Sequence, residues 1–107
     1  MLTSGSVEVF INNEMIRRGM AALFLGELCQ LYGIPASQTR LSAALRGDRP
    51  LSNEVGQQVR KIVEEIAAYA DALSVPVALT DATQIKAILD QRATLKKELA
   101  EIISDAT

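Results

Sequence analysis

The chain has 107 residues, of which 49% are hydrophobic, 22% charged and 4% aromatic, with a formal net charge of −2. This is the make-up of one modest core rather than a disordered tail, and with no Trp, two Phe and two Tyr that core must come from Leu, Ile, Val and Ala, which favours helices. The absence of His and the single Cys29 exclude a His general base, a Ser-His-Asp triad, a His-ligated or Cys-cluster metal site and any intramolecular disulfide.

The opening MLTSGSVEVF has neither a basic start nor a long apolar run, so no signal peptide is expected. No apolar stretch approaches the ~18 residues of a membrane helix. A lone thiol fits a reducing, cytoplasmic compartment. Val7, Phe10 and Ile11 then fall at helical spacing behind Ser6, a capping residue. A helix to about Arg18, ended by Gly19, is favoured over a short VEVFI strand, although β-branched residues suit strands. Arg17 and Arg18 read as a solvated helix end or, less simply, as a phosphate clamp.

A partly buried helix follows from Ala21 to Tyr32, with Phe24, Leu28 and Leu31 on one face and Leu25 and Tyr32 beside them. Cys29 reads there as a small buried hydrophobe. Gly33 stands at the C-terminal cap and Ile34-Pro35-Ala36 is a turn, because Pro35 drives Ile34 out of the helical region. Ser37 caps a short helix, Gln38 to about Arg46, with Leu41, Ala44 and Leu45 as its apolar stripe and Gly47 at its end. Asp48-Arg49-Pro50-Leu51 is a turn. Ser52 or Asn53 caps a long helix to about Leu73 or Ser74, whose buried stripe is Val55, Val59, Ile62, Val63, Ile66, Tyr69, Ala70 and Leu73. Arg60-Lys61 and Glu64-Glu65 read as solvent-facing charge. Pro76 breaks the chain, and Asp81 with Gln84 forms a variant capping box. The last helix, about Ala82 to Ile103, carries Ile85, Ile88, Leu95, Leu99 and Ile102 at spacings of three and four, interrupted by Arg92.

Charge divides the chain. Residues 17–61 hold seven bases (Arg17, Arg18, Arg40, Arg46, Arg49, Arg60, Lys61) against three acids (Glu27, Asp48, Glu54), whereas residues 62–107 hold four bases against eight acids. The basic part contains a helix, a glycine-containing turn and a second short helix, from Glu27 to Gly47, the layout of a helix-turn-helix. On the second helix Leu41, Ala44 and Leu45 point one way. Thr39, Ala43 and Arg46 point the other, flanked by Arg40 and Ser42. A small polar outer face admits a helix to a major groove, and guanidinium groups suit guanine edges or phosphates.

Leu31, Gly33 and Ile34, followed by Ser37, Leu41, Ser42, Ala44 and Gly47, resemble the pattern of the lambda-repressor-like, or Xre, helix-turn-helix family over roughly residues 9–70. The stretch from Arg46 to Ser52 is similar to that family's link into its next helix. The chain departs from the pattern in a turn longer by about two residues, in the small Ala44, and in Ala21 and Ala22 where the family commonly has Gln. The resemblance implies an all-α, five-helix lambda-repressor-like bundle with an extra C-terminal helix. It also implies bases met by Gln38, Thr39, Arg40, Ala43 and Arg46. Arg49 and Asn53 would lie near phosphates, with the hydroxyl of Ser52 as a further contact. Ser37 opens the segment.

The organisation expected is a DNA-binding domain over 1–74 and a C-terminal helical arm over 75–107. Its function would be a transcriptional regulator of small phage or plasmid type, without cofactor, binding double-stranded DNA as a homodimer. Two half-sites about one helical turn apart need two copies, and the last helix is the candidate for joining them. Folding back onto the long helix is the alternative for that element. The rival function is a small protein-interaction module, such as a phage protein inhibiting a host factor, with the acidic C-terminal surface as its docking face. An enzyme lacks every nucleophile or acid–base constellation.

Overall fold

The computed structural model describes residues 6–73 and 78–91, together with Ile102. The described residues form helices and no strand: α1 (Val7–Arg18), α2 (Ala22–Leu31), α3 (Gln38–Leu45), α4 (Asn53–Ala72) and α5 (Ala82–Gln91). The VEVFI segment is therefore helical. Of the last helix expected over 82–103, the part through Gln91 is present and Ile102 is helical. Arg92, Leu95 and Leu99 lie outside the described residues, as do Ser74 and Pro76.

The helix starts follow from local chemistry. Ser6, Ser37 and Ser52 each turn a side-chain oxygen to the backbone N–H three residues on, at Val9 (3.2 Å), Arg40 (3.3 Å) and Val55 (3.2 Å). Each such cap satisfies an N–H that the first turn leaves without a partner. Ser52, not Asn53, thus caps α4. Asp81 does the same for Gln84, at 3.1 Å.

Three helices end on a glycine in the left-handed region: Gly19 (φ 68°), Gly33 (φ 75°) and Gly47 (φ 83°). In each, the N–H of the following residue reaches back to a carbonyl five residues earlier: Met20 to Met15 (2.8 Å), Ile34 to Cys29 (2.9 Å) and Asp48 to Ala43 (3.0 Å). These are Schellman ends, in which the residue after the glycine commonly packs on the helix it closes. Met20 and Ile34 do so as buried apolar residues. Asp48 does not: it is exposed.

α2 packs against α3 on one side and α5 on another, while α1 packs against α4 and α3. The core runs through all of them: Ile11, Leu25, Leu28, Leu41, Val59, Ile62, Ile66 and Leu89 are fully buried. Each such side chain contributes roughly 1.5–3 kcal/mol of burial. Leu79, Ala82, Ile85 and Leu89 join the same cluster, so the start of the segment set apart as an arm is built into the core. Its tie to α2 is also polar. Tyr32 donates its hydroxyl to Asp90 (3.0 Å), and Lys86 bonds the same carboxylate (2.6 Å) with its ammonium 4.9 Å from the Tyr32 ring centroid. Burial, and then the Asp90 bond, push the Tyr32 phenol well above its ordinary range.

Several sequence expectations need correction. Leu31 is 45% exposed and Leu73 40% exposed, so neither belongs to the stripe assigned to it. Leu31 sits at the edge of the buried face of α2 set by Leu25, Leu28 and Cys29, and Leu73 lies past the end of α4 in extended backbone. Arg18 is not solvated: its side chain is 10% exposed and ties α1 to α4 through Asp71, at 3.0 and 3.2 Å, with Glu14 at 2.8 Å on its Nε. It is not free to clamp a phosphate. Arg17, 68% exposed, remains at the surface. Among the described residues no helix is long and apolar enough to cross a membrane.

Candidate nucleic-acid interface

α3 is an eight-residue helix with two unlike sides. Leu41 and Ala44 are fully buried and Leu45 is partly so. Gln38, Thr39, Arg40 and Arg46 are exposed, with Ser42 and Ala43 intermediate. The alternation puts the stripe on the core and leaves the polar side open.

The helix is held in place by a backbone crossing. A Cβ added at Gly26, in the middle of α2, would lie 2.6 Å from the backbone nitrogen of Gln38 and 3.1 Å from its Cα. Only a residue without a side chain lets α2 and the start of α3 approach this closely. Gly26 was not singled out in the sequence. The signal was there, because glycine inside a helix costs about 1 kcal/mol relative to Ala and needs a reason to stand there.

The eight residues expected to meet DNA fall into separate situations. Ser37 spends its hydroxyl oxygen on the cap of α3. Gln38 and Thr39 are open on the first turn. Arg40 is exposed, and its Nη1 donates to the carbonyl of Pro35 at 2.7 Å, which folds the side chain back over the preceding turn. Ala43 is half-buried, and its carbonyl is taken by the N–H groups of Asp48 (3.0 Å) and Arg49 (3.4 Å). Arg46 follows the helix as its cap residue and donates its Nε to Asp48 at 2.9 Å. Both partners are well exposed, at 65% and 63% of their side chains. Arg49 is exposed and carries no ion pair among the described residues. Asn53, the first residue of α4, borders a recess of about 300 Å³ shared with Val7, Glu8, Leu51, Ser52 and Gly56.

The structure therefore brings Arg46 and Asp48 together, sets Arg40 against the turn before α3, and leaves Arg49 free among the described residues. Arg60 and Lys61 are committed elsewhere, to Glu64 at 2.9 and 3.8 Å, with Arg60 also stacked 5.1 Å from the Phe10 ring centroid. Asp48 was read only as a turn residue; an acid two places after an Arg across a glycine cap was the available clue. Among the described residues no cluster of metal-ligating side chains occurs. Cys29 is fully buried, and burial pushes its thiol up to about 12, so it offers no nucleophile. No family model, curated protein or solved structure matches the chain.

Proposed function

We propose that this chain is a sequence-specific DNA-binding regulator of small phage or plasmid type that lays α3 in a major groove. The observation that carries this reading is the two-sidedness of α3, with Leu41 and Ala44 wholly inside while Gln38, Thr39, Arg40 and Arg46 stand open. A reading helix must be rigid from behind and small and polar in front. The Gly26 crossing supplies the first property, and Thr39, Ser42 and Ala43 the second. Arg40, Arg46 and Arg49 supply the cations.

The same reading makes the protein a cytoplasmic homodimer that needs no cofactor and catalyses no reaction. Ile85 and Leu89 belong to the chain's own core, so the pairing surface must use other residues. The test is retention of genomic double-stranded fragments at low salt, followed by sequencing. Enrichment of a defined site, with affinity falling steeply as salt rises, supports the reading. Absence of any retained DNA contradicts it.

A protein-docking role is the second reading. It draws on Leu23, 53% exposed, which with Ala21, Phe24 and Leu79 borders a recess of about 320 Å³. A single stoichiometric protein partner together with no DNA binding would favour it.

A further inference from the structure

Resting on the DNA-binding reading, we propose that Asp48 is a positioning residue that sets Arg46 to read a guanine, which separates the role of Arg46 from that of Arg40. Three observations carry this. The first is the way Arg46 is held. Asp48 takes only the Nε, at 2.9 Å, and among the described residues neither Nη has a hydrogen-bond partner. A guanidinium gripped at Nε keeps its far edge, Nη1 with Nη2, as a two-pronged donor. That edge matches the O6 and N7 acceptors of guanine in the major groove.

The second is the backbone that places Asp48. Gly47 at φ 83° reverses the chain, and the Asp48 N–H closes on Ala43 at 3.0 Å, so the carboxylate returns toward Arg46 from a fixed point. Two of the three glycine-ended helices fill the equivalent position with a buried apolar residue, Met20 or Ile34. The third puts an exposed acid there, where it adds nothing to the core. An exposed ion pair is worth little to stability, so its value lies in direction.

The third is the contrast with Arg40. Its Nη1 is already engaged by the Pro35 carbonyl at 2.7 Å. That bond holds the side chain back over the turn before α3, so although its Nε–Nη2 edge is still a two-pronged donor, a phosphate contact is the role assigned to it. Arg40 then adds affinity without regard to sequence, while Arg46 adds preference.

The experiment is selection from a random pool of double-stranded DNA with the full chain, followed by affinity measurements on the selected site and on versions changed one base pair at a time. The wild type should enrich one G·C pair per half-site and prefer it by about tenfold or more, the discrimination of a two-pronged Arg–guanine contact. Asp48→Ala and Arg46→Ala should each abolish that preference, and the double variant should lose no more than Arg46→Ala alone. Arg40→Ala should weaken binding to all sequences alike and leave the preference intact. An Asp48→Ala protein that binds every sequence more tightly with its preference unchanged would show Asp48 to be a repelling charge and overturn the proposal. So would an unchanged profile. If the wild type retains no DNA at low salt, the DNA-binding reading itself fails; if it selects a site insensitive to Asp48, only the positioning role fails.

Discussion

The backbone nitrogen of Gln38 lies 2.6 Å from where a Cβ on Gly26 would stand, so α3 and the helix behind it touch main chain to main chain. Gly26→Ala should therefore destabilise the fold, although Ala is the better helix former by about 1 kcal/mol. Overpacking against immovable backbone costs typically ~1–3 kcal/mol. A net loss should appear as a lower denaturant midpoint with an unchanged slope. A rise in the midpoint would mean that α3 gives way easily, and that the crossing is not rigid.

Leu28 is fully buried on α2, the helix that meets both α3 and α5. Leu28→Ala should cost about 2–5 kcal/mol, the range for a large-to-small change in a filled core. Such a loss is a large part of the stability of a small domain. A loss below about 1 kcal/mol, read from the same denaturation curves, would contradict the described packing.

Asp71 is held below the ordinary carboxylate range, first by its hydrogen bonds from Arg18. A depressed carboxylate stabilises the fold above its unfolded value and loses that contribution as pH falls through its folded value. The acid limb of the stability–pH curve should therefore be shallower for Asp71→Asn than for the wild type, from the ordinary carboxylate range downward. Identical limbs would show that the bridge between α1 and α4 contributes nothing in solution.

Much of the framework is legible in the sequence. Ser6, Ser37 and Ser52 and the glycines at 19, 33 and 47 mark where helices start and stop, because caps are local chemistry. The open side of α3 was legible for the same reason, from Leu41 and Ala44 alone. Three things were not. Leu31 falls at the edge of the buried face of α2, and Leu73 repeats the apolar period of α4 one residue after that helix has ended. Arg18 looks like any basic helix end until Asp71, 53 residues away in sequence, is brought beside it. Asp48 looks like a turn residue until the glycine turn aims it at Arg46. Arg18 depends on what the rest of the chain does, which periodicity does not record; Asp48 depends on the local turn at Gly47, which periodicity does not record either.

Cys29 is fully buried, and with its thiol raised to about 12 it is protonated at neutral pH. A thiol-specific reagent should react with it only as fast as the fold opens, and at the ordinary rate in denaturant. Prompt reaction in native buffer would place the residue at the surface and contradict the packing of α2.

The most direct test of the central claim is the salt dependence of DNA retention for the wild type beside an Arg40→Ala, Arg46→Ala double variant, with folding of both checked by circular dichroism. The expected result is a folded variant whose affinity at low salt falls at least tenfold and whose dependence on log salt is shallower, since loss of the Arg40 phosphate contact reduces the slope by about 1. A folded variant that holds DNA as tightly as the wild type, at every salt concentration, would contradict the assignment of α3 as the element that meets the groove.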